Sequence, residues 1–225
     1  MSGILIDGLR WEVRAHGTGL PLLLLHGFTG RGTAWGAHAA AFARAFRVIT
    51  VDLPGHGRSG TATPERMTVE RTADDLAAIL RRTGAAPADV LGYSLGARVA
   101  LRLAIAHPSI VRRLILESPS AGLRTEAERA TRRRADSELA ARLEADGIVA
   151  FVAGWERQPV FASHAALPPA RAARLRAMRL ASSPGGLAAS LRGAGQGAME
   201  PLFDRLGTVG APTLVIAGAR DDRGR

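Results

Sequence analysis

The stretch Val90-Leu91-Gly92-Tyr93-Ser94-Leu95-Gly96-Ala97-Arg98-Val99 decides how this chain is read. Its centre is a G-x-S-x-G pentapeptide, preceded by an apolar run and followed by a helix-like run from Leu95 to Ala106. A serine in that setting falls on a sharp strand-to-helix turn, where a strained backbone holds its Oγ out where it can react. Gly92 and Gly96 lack a Cβ, so the chain on either side can close up around the turn. The pattern predicts serine-dependent chemistry centred on Ser94.

Working outward, two further apolar runs end in turn residues. Leu22 to Leu25 leads into His26-Gly27-Phe28, and Val48 to Val51 leads into Asp52-Leu53-Pro54-Gly55-His56-Gly57-Arg58-Ser59. Both read as buried parallel strands. Further strands are predicted at Leu114 to Leu116 and Thr213 to Ala217, with helices at Trp35 to Phe46, Val69 to Arg82 and Leu95 to Ala106. Ile4 to Ile6 and Trp11 to Arg14 read as an opening hairpin that turns at Asp7-Gly8. This alternation predicts an α/β fold, a mainly parallel sheet with helices on both faces. Right-handed crossovers then bring the loops that carry Phe28, Ser94 and Glu117 to one edge.

From Ser118 to about Leu206 the strand pattern gives way to Ala/Arg/Glu/Leu-rich helical sequence, broken at Gly147, Pro159, Pro168-Pro169 and Ser183-Pro184-Gly185-Gly186. One folded unit is expected: a core over 1–117, an inserted helical lid over 118–206, and a return to the core over 207–225.

The composition, 47% hydrophobic and 22% charged over 225 residues, is that of a globular chain with a sizeable core. Cysteine is absent, which excludes a disulfide framework, a thiolate metal site and a cysteine nucleophile. The apolar run Leu20 to Leu25 is too short to span a bilayer, and Met1 to Asp7 carries no basic leader, so a cytoplasmic protein without membrane contact is expected. The net charge of +10 comes wholly from arginine, since all 30 basic residues are Arg. These are scattered, with few aromatics between them, which argues against nucleic acid as a partner. Arg132-Arg133-Arg134 is the one dense run.

The three strand-and-turn motifs, in this order, resemble the α/β-hydrolase superfamily. That resemblance implies an oxyanion hole made by the backbone N–H groups of Phe28 and Leu95. The later stretches Glu117-Ser118-Pro119-Ser120 to Asp136 and Trp155-Glu156-Arg157-Gln158-Pro159-Val160-Phe161-Ala162-Ser163 look like one branch of it. That branch is the menaquinone-pathway lyases, the 2-succinyl-6-hydroxy-2,4-cyclohexadiene-1-carboxylate synthases.

Membership would imply elimination of pyruvate from a cyclohexene polycarboxylate that bears a succinyl arm and an enolpyruvyl ether, in a monomer without metal or cofactor. Ser94 Oγ would act as a base on the ring C–H, and the two N–H groups would stabilise the enolate oxygen. The family's anion-binding arginines map onto Arg98, Arg132 and Arg179, with Arg133 and Arg134 as one-residue alternatives to Arg132. Arg98 can also be argued from position alone: four residues after Ser94 it lies on the same helical face, and its guanidinium fork suits a carboxylate. Tyr93, Trp155 and Phe161 resemble the family's pocket residues, although a buried aromatic is commonly simple core.

A serine is too weak a base alone and needs a histidine oriented by a carboxylate. Asp221, with Asp222 as the near alternative, sits just past the strand Thr213 to Ala217, where the acid belongs. No histidine follows His164. The expectation is that the family's last strand, histidine loop and closing helix are missing here, as in a shortened gene. His26 and His56 read as backbone braces, His107 precedes Pro108, and His16, His38 and His164 lack motif context. Three classes stay open: the lyase, a carboxylic-ester or thioester hydrolase on the same elbow, and an inactive remnant that binds anions.

Overall fold

Strands of four to seven residues, the central four carrying buried apolar runs and each followed by a helix, build one six-stranded sheet in the computed structural model, which describes residues 3–219. A small hairpin comes first: β1 (Ile4–Ile6) pairs antiparallel with β2 (Leu9–Trp11). Its turn uses Asp7 and Gly8 at φ 43° and 76°, the left-handed pair that a tight hairpin needs. The strand expected from Trp11 to Arg14 is in fact two strands. Glu12 gives its N–H to Ser59 Oγ at 2.9 Å and its carbonyl accepts from Asp52 N at 3.1 Å, so the hairpin ladder stops there. β3 (Val13–His16) then joins the main sheet.

The main sheet runs β3-β5-β4-β6-β7-β8, with β4 at Leu20–Leu25, β5 at Phe46–Val51, β6 at Ala88–Tyr93, β7 at Val111–Glu117 and β8 at Thr213–Ile216. β3 lies antiparallel to β5, and every other pairing is parallel. Leu25 stands beside Gly92, and Tyr93 beside Glu117, so the loops after β4, β6 and β7 leave the sheet at one edge.

Helices α2 (Val69–Arg82) and α3 (Leu95–Ala106) pack their apolar sides on the sheet around Trp11, Leu23, Leu25 and Ile49. The helix expected from Trp35 to Phe46 is shorter, a 3-10 turn and then α1 (Gly36–Phe42). Phe46 is taken by β5, where it pairs with Leu20.

Between β7 and β8 lie three helices: α4 (Glu126–Trp155), α5 (Pro169–Leu180) and α6 (Pro184–Ala194). Thr125 and Glu128 form a reciprocal capping box at the start of α4, and Gly147, at φ 77°, kinks it. Ala140, Leu143, Phe151 and Val152 of α4 bury against Leu187, Ala188 and Leu191 of α6. Glycine seats α6 on the core: a Cβ on Gly186 would lie closer than 3.0 Å to Gly55 O, and one on Gly193 equally close to Pro64 O. Among the described residues β8 is the outer strand, and Leu214, Val215 and Ile216 are exposed on it. No described helix is long and apolar enough to cross a membrane.

Candidate active site

Ser94 sits at the junction of β6 and α3 with φ 52° and ψ −108°. A non-glycine residue there costs about 1–3 kcal/mol, which the surroundings must hold in place. They do so from both sides. Ser94 N–H donates to Glu117 O at 2.9 Å, and Ser94 O accepts from Ala97 N at 3.0 Å and Arg98 N at 3.1 Å. A Cβ on Gly92 would run into Gly96 O, and one on Gly96 into Leu25 O and His26 O, each closer than 3.0 Å. Only glycine at these two positions lets α3 press against the ends of β4 and β6.

The loop after β4 lies directly on the serine. A Cβ on Gly27 would be 2.8 Å from the Tyr93 ring and 3.3 Å from Ser94 Cβ. Gly27 O accepts from Gly30 N at 2.9 Å, with Thr29 at φ 64°, so Phe28 is presented at the tip of a tight turn. Leu95 opens α3, and its N–H belongs to the first turn, which has no intrahelical acceptors. His26 braces the loop from beneath: its Nε2 accepts from Leu53 N at 2.9 Å, so Nδ1 carries the proton and donates to Gly27 O at 2.8 Å. Burial holds His26 neutral, its pKa lowered to about 4. His56, bonded through Nδ1 to Pro54 O at 3.0 Å, is lowered to about 3 by burial and then by His26.

An aromatic row leads from this loop into the helical insertion. The Phe28 ring meets His56 at 5.6 Å, Trp155 at 5.3 Å and Phe151 at 6.4 Å, each edge to face. Trp155 stacks on Phe151 and reaches Phe161 at 5.7 Å. Over Phe161 lies the Arg179 guanidinium, 5.0 Å from the ring centroid. Arg179 is only 6% exposed, its Nη1 donates to Glu156 Oε1 at 2.9 Å, and its Nε is buried without a partner. Arg176 binds the other oxygen of Glu156. Beside them is a cavity of about 270 Å³ lined by Glu156, His164, Leu167, Arg176 and Arg179, among others.

Arg98 and Arg132 form a second cationic group around Asp136. Arg132 Nε donates to Asp136 Oδ1 at 2.9 Å and its Nη1 to Gln196 Oε1 at 3.2 Å. Arg98 Nη1 donates to Ala194 O at 2.7 Å. Burial, and then the charge of Arg132, lower the Arg98 pKa to about 10, which leaves it cationic at neutral pH. Asp136 is pushed up by burial, against the pull of Arg132 and Arg98, and its Oδ2 is buried without a partner. Arg133 turns instead to Gly197 O and Glu126, and Arg134 lies exposed beside Thr131. Of the three adjacent arginines, Arg132 is the one that joins Arg98.

Residues 21–223 match the model of the alpha/beta hydrolase fold family. A relative from Bacillus subtilis (strain 168), provisionally named 2-succinyl-6-hydroxy-2,4-cyclohexadiene-1-carboxylate synthase, is 35% identical over 96% of this chain and 80% of its own length. A synthase of the same name from Escherichia coli O1:K1 is 37% identical over 64% of this chain, and the match spans only 57% of that protein. The structure titled MenH from S. aureus superposes with a TM-score of 0.89 at 35% identity, over 95% of this chain and 81% of that one. The chain is an α/β-hydrolase of the MenH-like branch.

For this MenH-like chain the structure brings Ser94, Tyr93, Phe28 and Leu95 to one sheet edge and sets Trp155 and Phe161 in the aromatic row above Phe28. The three mapped arginines do not form one contact group: Arg98 and Arg132 share Asp136, whereas Arg179 is held by Glu156. Asp221 and its alternative Asp222 lie outside the described residues. Sequence reasoning passed over Glu156, Asp136, Gln196 and Arg31. Asp136 had a usable signal, since it lies four residues after Arg132 on a helix. Glu156 and Gln196 had none, because their partners are distant in sequence.

Proposed function

We propose that this chain is a carbon–oxygen lyase that releases pyruvate from 2-succinyl-5-enolpyruvyl-6-hydroxy-3-cyclohexene-1-carboxylate, giving 2-succinyl-6-hydroxy-2,4-cyclohexadiene-1-carboxylate. The observation that carries this reading is Arg179, a buried guanidinium in the aromatic row that ends on Phe28. Glu156 meets this charge through Nη1, and the Nε left without a partner is a donor suited to a substrate carboxylate, for which a pocket for plain apolar esters has no use. The arginine pair around Asp136 adds a second cationic group, which suits a polycarboxylate.

In this reading Ser94 Oγ takes the ring proton α to the succinyl ketone, negative charge moves to the ketone oxygen, and the electron pair returns to expel enolpyruvate, which becomes pyruvate. The N–H groups of Phe28 and Leu95 are the donors for the enolate oxygen. The helical insertion acts as a lid, and Tyr93, Trp155 and Phe161 wall the ring. The serine proton must pass to a base. His26 cannot serve, because both its nitrogens are committed to backbone groups.

The test is a direct comparison on the intact protein: pyruvate release from the enolpyruvyl cyclohexene, followed through a coupled lactate dehydrogenase, against hydrolysis of aryl esters. Pyruvate release far exceeding ester cleavage is the expected result. The reverse ranking would reassign the site to an ester or thioester hydrolase on the same elbow.

A further inference from the structure

We propose that Arg31 is a positioning residue that fixes helix α5, and with it the guanidinium of Arg179, against the loop that presents Phe28. The inference rests on the reading of Phe28 and Arg179 given under Proposed function.

Arg31 follows the tight turn closed by Gly27 and Gly30, three residues after Phe28. Its Nη2 donates to Met178 O at 2.7 Å, across a sequence separation of 147 residues. Met178 lies in the last turn of α5, where carbonyls run out of intrahelical donors. The next N–H groups pass it by, since Ala181 N goes to Ala177 O and Ser182 N to Arg179 O. The guanidinium therefore supplies the acceptor's missing partner and sets a positive charge at the negative end of the helix dipole.

Arg31 forms no ion pair among the described residues, and its Nε is buried without a partner. Its commitment is to the Met178 carbonyl. Among the described residues this is the hydrogen bond that ties α5 to the sheet edge. Helix α6 is seated differently, by the close backbone contacts of Gly186 with Gly55 and Gly193 with Pro64, in addition to Arg98 on Ala194 O. Because Met178 directly precedes Arg179, a shift of that carbonyl moves the Arg179 backbone as well. Glu156 holds the Arg179 side chain from the other side. Arg31 thus sets the distance between a carboxylate-binding group and an oxyanion donor, which is a specificity-determining length for a substrate that carries both a ketone and a carboxylate.

Two measurements on the intact protein test this. In the ligand-free protein, Arg31→Met should speed amide hydrogen exchange in residues 171–180 by about tenfold, the loss expected for one charge-assisted hydrogen bond, and leave residues 184–194 unchanged. Unaltered exchange in α5 would overturn the proposal. The second measurement is a binding cycle by calorimetry with 2-succinylbenzoate, a dicarboxylate with a ring, a ketone and a succinyl arm, as the probe. Arg31→Met and Arg179→Met should each weaken binding about tenfold, the double variant no more than Arg179→Met alone, and Arg31→Lys should restore part of the loss. Additive losses would show that Arg31 acts independently of Arg179 and would refute the positioning role. If the unaltered protein does not bind the probe, the reading of Arg179 falls, and the exchange result alone decides whether Arg31 ties α5.

Discussion

Phe28 and Trp155 meet edge to face with their ring centroids 5.3 Å apart, although 127 positions separate them in the chain. This contact joins the loop beside Ser94 to the helical insertion. Truncation of the indole, Trp155→Ala, should cost about 2–3 kcal/mol of stability, below the range for a fully enclosed tryptophan because Trp155 is partly exposed. It should also weaken binding of 2-succinylbenzoate. Urea unfolding and calorimetry read the two effects, and an unchanged affinity would remove Trp155 from the pocket.

Ser94→Ala should abolish pyruvate release and leave the melting temperature nearly unchanged, since the side chain is not a packing element. Ser94→Gly makes a sharper case. It relieves the φ of 52° and should raise stability by about 1 kcal/mol while remaining inactive. Stability lower than wild type in the glycine variant would mean that the turn is not strained.

Gly96→Ala places a Cβ against Leu25 O and His26 O, backbone atoms that cannot move without shifting β4. A loss of about 3 kcal/mol is expected, at the upper end for overpacking. Gly154→Ala, where nothing lies within 4 Å of the added methyl, is the control and should be neutral or stabilising.

Stability should fall as the solution is acidified below about pH 6.5. His26 and His56 are neutral in the fold, with pKa values lowered to about 4 and 3 from 6.5, so the unfolded chain binds protons that the folded chain excludes. Their contribution is complete above pH 6.5 and is lost as the pH drops toward 4. The slope should approach about 2.7 kcal/mol per pH unit when both unfolded rings are protonated and both folded ones are not. A flat stability between pH 6.5 and 5 would show the two imidazoles to be solvated.

Arg98→Ala should weaken dicarboxylate binding by about 1.5–3 kcal/mol, the worth of a charge-assisted hydrogen bond. Arg82 bonds Leu5 O on the far hairpin, so Arg82→Ala should leave binding unchanged. Equal effects in calorimetry would displace the pocket from α3.

What the sequence by itself determined was the local chemistry of backbone and period. The G-x-S-x-G turn, the apolar strand runs, the Asp7-Gly8 hairpin turn and the helix breaks at Pro168-Pro169 and Ser183-Pro184 are all set by residues within a few positions of one another. Helices α2 and α3 run from Val69 to Arg82 and from Leu95 to Ala106, as their apolar periodicity indicated. Where a distant group competed, the local signal lost. Glu12 breaks the hairpin strand because Ser59 and Asp52 claim its backbone, and Phe46 leaves the first helix because Leu20 pairs with it. The same rule separates the parts of the candidate site. Which of three adjacent arginines faces Arg98, why Glu156 holds Arg179, and how Arg31 reaches Met178 depend on contacts between segments far apart in the chain. No spacing encodes them, so only the tertiary structure could decide them.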